Sequence, residues 1–140
     1  MNPEFTRTKT YLYCEDDLLS RQAMDLILKR VMRADNVHIF EDSTDFMSRL
    51  VALPTPPDVV LLDIHMKPYT GFDLLRMLRS DPRYQRSRVV ALTASVMNEE
   101  VKTLMESGFD GVIGKPISVA TFPRIIERVL AGESVWHITY

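Results

Sequence analysis

The sequence has few of the features that mark secreted and membrane proteins. It holds a single cysteine, Cys14, among 140 residues, so it cannot form an intramolecular disulfide, which is typical of a reducing compartment. Its charge-free stretches are much shorter than the about 20 apolar residues that cross a bilayer. The first ten residues lack the apolar core of a signal peptide. These absences predict a cytoplasmic protein and exclude disulfide-stabilised and membrane-spanning classes.

The sequence also lacks an excess of basic charge. Its 17 Lys and Arg residues against 19 Asp and Glu residues give a net charge of −2, so we do not expect direct nucleic-acid binding. Repeats and low-complexity segments are absent, and the length suits one domain. We predict a single domain over residues 1–132, followed by an apolar tail or linker remnant over residues 133–140. That tail could pack on the domain, dock a partner or belong to a longer chain.

Strand-like and helix-like patterns alternate five times along the chain. The predicted strands are residues 10–14, 37–40, 59–62, 88–92 and 111–114. The predicted helices run from 17 to 33, 44 to 53, 70 to 80, 98 to 108 and 118 to 132. This alternation predicts the α/β class: a five-stranded parallel sheet in a doubly wound arrangement, with the five helices on both faces. In the first helix we expect the apolar face to consist of Leu19, Ala23, Leu26, Ile27 and Val31.

Polar residues follow four of the five predicted strands. They are Glu15, Asp16 and Asp17 after the first strand, Asp63 after the third, Thr93 after the fourth and Lys115 after the fifth. The small Ala94 follows Thr93, and Pro116 follows Lys115. Taken singly, each has an ordinary interpretation as a helix cap, a loop acid, a strand residue or a surface lysine. Because the carboxyl ends of parallel strands meet at one edge, their joint occurrence predicts a functional site there.

Phosphoryl transfer to a carboxylate is the chemistry that this set of residues favours. Clustered carboxylates repel one another, and their oxygen ligands suit Mg²⁺, with Mn²⁺ as an alternative cation. Asp63 is the candidate nucleophile. Lys115 and the cation would neutralise charge on the transferred group, and Thr93 could donate a hydrogen bond to it. Ala94 is small enough to leave room for that group.

At this point the sequence resembles the receiver domains of two-component response regulators. The resemblance covers about residues 8–130 and is chemotaxis-regulator-like, whether this is a single-domain protein or a domain excised from a longer one. The matching motifs are Tyr13–Asp17, Leu61–Met66, Ala91–Ala94 and Gly114–Pro116, together with Gly71. The resemblance implies a flavodoxin-like (βα)5 receiver fold and a role in two-component signalling or a phosphorelay.

The resemblance also assigns roles to the acidic residues. Asp63 matches the phosphoacceptor, which becomes an aspartyl phosphate. Glu15 and Asp16 match the pair that holds Mg²⁺, Asp16 directly and Glu15 through water. The backbone carbonyl of His65 matches a further ligand of the metal.

The remaining roles concern phosphate binding and signal output. Lys115 matches the phosphate-binding lysine, and the Lys115–Pro116 peptide is expected to be cis, while Thr93 matches the switch hydroxyl. The donor would be a histidine kinase or a histidine phosphotransfer protein. The output surface would be the fourth helix, fifth strand and fifth helix of the predicted fold, where a homodimer or an unidentified downstream partner would bind.

The sequence departs from the family pattern near the site. Val112 stands where the family usually has an aromatic residue, so we expect a switch that uses Thr93 and the following loop without an aromatic rotamer change. Lys67 stands where the family tends to have proline. The side chains of His65 and Ser95 are expected to flank the acceptor.

The leading interpretation is a signalling module rather than a classical enzyme, with Mg²⁺-dependent self-phosphorylation from phosphodonors and slow autodephosphorylation. The alternative is a receiver-like interaction module that works without phosphorylation. A phosphatase of the haloacid dehalogenase type is less favoured, because it needs a second acid where His65 stands. Flavodoxin-like cofactor binding is weaker still, because no Ser/Thr/Gly-rich phosphate loop follows the first strand.

Overall fold

A computed structural model describes residues 3–94 and 98–137 of the chain. Its centre is a six-stranded, fully parallel sheet with the strand order β2-β1-β3-β4-β5-β6. The strands are β1 (Thr10–Cys14), β2 (Asn36–Phe40), β3 (Val59–Asp63), β4 (Arg88–Thr93), β5 (Gly111–Gly114) and β6 (Val135–His137). The predicted α/β class and doubly wound parallel sheet are therefore confirmed, with one strand more than expected.

Helices connect these strands and cover both faces of the sheet. They are α1 (Pro3–Arg7), α2 (Leu18–Leu26), α3 (Phe46–Val51), α4 (Gly71–Arg79), α5 (Asn98–Ser107) and α6 (Phe122–Leu130). A π-helical turn, Ile27–Val31, continues α2, and a 3₁₀ turn, Pro82–Tyr84, follows α4. None of the helices in the two described ranges is long and apolar enough to cross a membrane.

Local capping chemistry marks the starts of α2 and α4 and the end of α5. Asp17 caps α2 by accepting a hydrogen bond from the Ser20 backbone N–H. Thr70 and Asp73 form a reciprocal capping box at the start of α4. Gly108 ends α5 with a φ of 98°, a left-handed conformation that glycine adopts without strain. The cap at Asp17 places α2 directly after the acidic residues that follow β1.

Two apolar cores lie on opposite faces of the sheet. One packs α3, α4 and α5 against the side chains of alternate strand residues such as Leu62 and Val112. The other packs α2 and α6 against residues such as Tyr13 and Leu61. The central strand β3 is buried along its whole length, because helices cover both of its faces. The site at its carboxyl end therefore rests on a rigid element.

The expected buried face of the first long helix was wrong in part. Of the five residues expected there, Ile27 is buried, whereas Leu19 and Leu26 are exposed by 74% and 55%. The core contacts come from Met24, Ile27, Leu28 and Met32. The helix has two apolar stripes, and Met24, Ile27 and Leu28 face the sheet at ordinary helical spacing. In the π-helical turn Met32 N–H bonds to Ile27 C=O five residues back, which places Met32 rather than Val31 in the core.

The ends of the chain also differ from the prediction. The short helix α1 and the strand β6 were not predicted, because three to five residues are too few to show a hydrophobic period. The last helix begins at Phe122 rather than at Ser118. Val119 is half exposed, so the first buried residue is Phe122, and Pro123 in the first turn favours a start there.

Candidate functional site

Asp63 is the last residue of β3 and lies at the centre of the acidic edge. It is 4% exposed, so its carboxylate is largely removed from water. The start of α4 passes close behind it: a Cβ on Gly71 would lie 2.9 Å from the Asp63 carbonyl oxygen. Glycine at position 71 therefore permits the close approach of α4 to the end of β3.

Lys115 joins two of the carboxylates by direct contacts. Its Nζ donates to Glu15 Oε1 at 2.7 Å and to Asp63 Oδ1 at 3.2 Å. Glu15 is fully buried and the Lys115 side chain is 20% exposed. Leaving either carboxylate without this cation would be costly, because an unpaired charge in a buried site loses its hydration without compensation. Three residues that are far apart in the sequence thus form one charged cluster, as predicted.

The pKa values of the cluster differ according to each group's surroundings. Burial, reinforced by the neighbouring Glu15 carboxylate, raises the pKa of Asp63 to about 6. Burial would also raise the pKa of Glu15, but hydrogen bonds, foremost from Lys115, outweigh it and lower that pKa. Burial likewise opposes the charge on Lys115, yet the two carboxylates raise its pKa above the ordinary value. Lys115 is therefore a permanent cation beside Asp63.

Three carboxylates of this edge form a group that suits a divalent cation. Oxygens of Glu15, Asp16 and Asp63 lie within 4.8 Å of one another, and Asp16 is exposed to solvent. This all-oxygen donor set with one open side matches the preference of Mg²⁺ for a few carboxylates and several waters. The residues present therefore fit the metal, whereas the ligand role of the His65 carbonyl stays a prediction.

Tyr13 is a site residue that sequence reasoning missed. Its phenolic hydroxyl donates to Glu15 Oε1 at 2.9 Å, and the residue is 1% exposed. The signal was present in the sequence, because residues i and i+2 of a strand point to the same face of the sheet. Tyr13 looked like an ordinary strand aromatic, and nothing marked its hydroxyl as part of a polar site.

The other predicted site residues surround the acidic cluster. Thr93 ends β4 and is fully buried, and its carbonyl accepts the Lys115 backbone N–H at 2.7 Å. Ala94 is exposed beside it. The Lys115–Pro116 peptide is cis, as expected, and Pro116 is exposed. Ser95, which was expected to flank the acceptor, lies outside the described residues.

The imidazole of His65 contacts a helix. Its Nε2 lies 2.9 Å from Glu100 Oε1 on α5, which makes an ion pair when the imidazole is protonated. His65 belongs to the loop that follows Asp63. The contact therefore joins this loop, which we propose below as the acceptor loop, to the first turn of α5.

Val112 is fully buried in β5, and an aromatic ring lies beside it from another strand. Trp136 of β6 is its register partner and packs against the same core.

A second aromatic residue near β5, Phe109, is buried and makes an edge-to-face contact with Phe72 at a centroid distance of 6.0 Å. The expectation of a switch without an aromatic rotamer change stays a prediction.

An apolar groove of about 460 Å³ opens next to the cluster, between α2 and the segment after β5. Its lining includes Leu19, Ala23, Met24, Ala94, Lys115 and Ile117. Leu19 and the neighbouring Leu18 are exposed by 74% and 56%. Exposed apolar side chains of this size beside a polar site mark a candidate binding surface.

Comparison with known proteins relates the site to one family. The family model described as the response regulator receiver domain matches residues 12–127. A nitrate/nitrite response regulator protein homolog of Haemophilus influenzae is 33% identical over 72% of this chain, and the match covers 48% of that protein. The chain thus spans about half the length of that relative. The polar-differentiation response regulator DivK of Brucella ovis is 25% identical, over 87% of this chain and 94% of DivK.

A solved structure shares the fold. The receiver domain of a sensor histidine kinase from Pseudomonas aeruginosa PAO1 superimposes with a TM-score of 0.76. The two chains are 19% identical, and the match covers 89% of this chain and 98% of the other. That structure has a magnesium ion coordinated in its active-site cleft.

Proposed function

Because the chain belongs to the response regulator receiver domain family, we propose that it accepts a phosphoryl group on Asp63 from a phosphohistidine donor in a Mg²⁺-dependent step. The donor is a histidine kinase or a histidine phosphotransfer protein. The observation that carries this proposal is the Lys115 ammonium group, which contacts both Asp63 and Glu15. Receiver domains are signalling domains rather than classical enzymes, and the reaction here modifies the domain itself.

In the proposed reaction the Asp63 carboxylate is the nucleophile. One of its oxygens forms a bond to phosphorus as the bond from phosphorus to the donor imidazole breaks, and the imidazole nitrogen keeps the electron pair. Lys115 is held within 3.2 Å of Asp63 Oδ1, where it stabilises negative charge on the transferred group. Thr93, buried at the end of the neighbouring strand, supplies a hydroxyl to a phosphoryl oxygen after a local movement of its loop.

The metal would be held by Asp16, Asp63 and, through water, Glu15. Bound Mg²⁺ offsets the negative charge that the carboxylates and the phosphoryl oxygens bring together. Asp16 is the exposed member of the group and offers the open side for entry. Lys115 keeps Glu15 charged, so the protein needs no proton release at that residue before the cation binds.

The groove beside the site suits the donor protein. Leu18, Leu19 and Leu26 expose an apolar stripe on α2, and the groove extends from that stripe to Lys115. An amphipathic helix of the donor would bury this stripe and bring its phosphohistidine to the acceptor edge. Binding of the donor would explain why α2 exposes these leucines, which do not pack in the core.

The output surface of the proposal is formed by α5, β5 and α6, with β6 added at the outer edge. The fifth strand pairs with Val135–His137, so a dimer or downstream partner that approaches this edge meets β6. The His65–Glu100 contact offers a direct connection from the acceptor loop to α5. Phosphorylation would add about −1.5 to −2 charge at Asp63 and bias such contacts.

The alternative is an interaction module that works without phosphorylation. Val112 in place of the usual aromatic residue favours it mildly. The paired arrangement of Glu15, Asp63 and Lys115 argues against it, because a module without phosphoryl chemistry has no use for two carboxylates and a lysine buried together. The proposal of phosphoryl acceptance is therefore preferred.

Intact-protein mass spectrometry tests the proposal directly. The protein is incubated with acetyl phosphate or phosphoramidate and Mg²⁺, and a gain of one phosphoryl group is expected. Asp63→Asn and EDTA-treated samples should show no gain. Asp58→Asn is a matched control, because Asp58 also lies next to β3 but at its opposite end, where it accepts the Thr10 N–H.

Two results together would overturn the proposal. One is no phosphoryl gain from either small donor or from a purified phosphorylated histidine phosphotransfer protein. The other is no Mg²⁺ binding in isothermal titration calorimetry. That outcome would favour the phosphorylation-independent module.

A further inference from the structure

We propose that Tyr13 is a positioning residue, whose buried hydroxyl holds the Glu15 carboxylate in the orientation that metal binding and phosphoryl transfer require. The inference rests on the proposed function and adds a residue that the receiver chemistry does not assign. It is carried by the contact between the Tyr13 hydroxyl and Glu15 Oε1, at 2.9 Å.

The geometry of β1 brings the two side chains together. Tyr13 and Glu15 are two residues apart at the carboxyl end of the strand and point to the same face of the sheet. The tyrosine ring is packed in the core formed with α2 and α6, which fixes its position. Its hydroxyl is therefore a rigid donor, placed just below the acidic edge.

The two carboxylate oxygens of Glu15 have different hydrogen-bond contacts. Oε1 accepts from both the Tyr13 hydroxyl and Lys115 Nζ, at 2.9 and 2.7 Å. Oε2 has a longer contact, 3.4 Å, with the Asp17 backbone N–H. The Glu15 carboxyl also has a side-chain hydrogen bond with Asp63. With Oε1 engaged by two strong donors, Oε2 would be the oxygen available to a metal-bound water.

Glutamate needs this support more than aspartate would. Its side chain has one more rotatable bond, so an unsupported carboxylate loses more conformational freedom when it is fixed at the site. The Tyr13 hydroxyl has a need of its own, because a buried phenol without an acceptor is destabilised. The Tyr13 hydroxyl and the Glu15 carboxylate thus provide each other's hydrogen-bond partner, and the pair forms one fixed unit next to Asp63.

The chain offers a closely matched control in Tyr11. It is fully buried on the same strand face, and its hydroxyl also donates one hydrogen bond, to the Thr6 carbonyl at 2.7 Å. Its hydroxyl lies towards the opposite end of β1, away from Glu15. Tyr11→Phe therefore removes a comparable buried hydrogen bond without touching the site.

The test compares Tyr13→Phe with Tyr11→Phe in calorimetric titrations with Mg²⁺ alone. Tyr13→Phe should raise the dissociation constant for Mg²⁺ about tenfold, the usual effect of losing a partner of a ligand residue. Tyr11→Phe should leave it within twofold of the wild-type value. Urea unfolding of both variants shows whether they are destabilised similarly, which separates positioning from general destabilisation.

The same comparison in a Glu15→Asp protein tests the contact between the Tyr13 hydroxyl and the Glu15 carboxylate itself. Glu15→Asp shortens the side chain by ~1.5 Å and takes the carboxylate out of reach of the Tyr13 hydroxyl. Tyr13→Phe should then change Mg²⁺ affinity by less than twofold in the Glu15→Asp protein. An equal loss in both backgrounds, or wild-type Mg²⁺ affinity in Tyr13→Phe, would refute the positioning role.

If Tyr13→Phe does not fold, the wild-type protein still provides a test. Assigned ring signals of Tyr13 in a tyrosine-labelled NMR sample should shift on addition of Mg²⁺, while those of Tyr11 stay in place. Tyr13 signals that do not move would overturn the inference. A wild-type protein that neither binds Mg²⁺ nor gains a phosphoryl group would instead refute the proposed function.

Discussion

Two regions of the sheet are built on opposite principles. One is the proposed acceptor edge, formed by the carboxyl ends of the strands, and the other is the outer edge, formed by the last strand β6. At the acceptor edge, charged groups are buried and satisfy one another, as Lys115 does between Glu15 and Asp63. At the outer edge, β6 adds apolar side chains, and Val135 is buried while Trp136 packs beside Val112. The first arrangement holds the charged groups of the proposed reaction in place, whereas the second adds apolar contacts to the core. Substitutions at the two edges should therefore affect different measurements.

The largest expected effect is the loss of the central cation. Lys115→Met should slow phosphoryl incorporation by on the order of 100-fold, because one electrostatic contact to the transferred group disappears. Initial rates from intact-mass time courses with acetyl phosphate and Mg²⁺ measure this. Lys102→Met, at an exposed lysine of α5, is the control and should keep the wild-type rate. A similar rate for both variants would contradict the proposed role of Lys115.

The next effect concerns pH and the metal-free protein. The pKa of Asp63 is about 6 in the folded protein and ordinary when unfolded, so the folded state binds more protons between about pH 4 and 6. The contribution of Asp63 to the free energy of unfolding should therefore fall as pH rises through this window, by on the order of 1–3 kcal/mol. Glu15, whose pKa is lowered, contributes with the opposite sign, so the Asp63 part has to be isolated with a variant. Urea unfolding in EDTA at pH 4.5 and pH 7.5 measures the slope.

Asp63→Asn is the comparison for that measurement. An amide does not titrate, so the variant should lose the part of the slope that comes from Asp63 and gain relative stability at pH 7.5. Equal slopes in the two proteins would show that the buried carboxylate does not titrate as described.

A smaller effect is expected at the outer edge. Val135→Ala removes two methyl groups from a side chain that is 4% exposed, and should lower the free energy of unfolding by about 1–2 kcal/mol. Phosphorylation rate should stay unchanged. Val119→Ala, at a half-exposed valine, should cost little by comparison. A slower phosphorylation rate in Val135→Ala would mean that the two edges are coupled.

The smallest effect concerns the contact between the acceptor loop and α5. Glu100→Gln weakens the His65–Glu100 pair, in which the histidine side chain is 60% exposed, so the stability change should stay below about 1 kcal/mol. Urea unfolding at pH 5.5 measures it, with Glu99→Gln as the exposed neighbour. A larger loss would show that the loop and α5 are held together more tightly than one surface pair allows.

The sequence predicted that charged residues converge at the carboxyl ends of the strands, because the signal consists of charged residues that directly follow apolar strands. Asp63 and Lys115 are 52 positions apart, yet parallel strand geometry brings them together. Strand β6 at the outer edge could not be predicted, because three residues are too few to show the alternating hydrophobic pattern of a strand. The buried face of α2 was predicted wrongly for a different reason: the helix carries two apolar stripes, and the sequence alone does not show which of them faces the sheet.

The burial of Cys14 has a practical consequence for experiments on this protein. The thiol is fully buried, its Sγ lies 3.2 Å from the Asp42 carbonyl, and burial raises its pKa to about 12. It is also the single cysteine of the chain. Alkylating reagents should therefore spare the native protein and modify it only when β1 opens. A cysteine introduced on the surface can then be labelled selectively in the folded protein. The rate at which Cys14 itself is alkylated would report how often β1 opens.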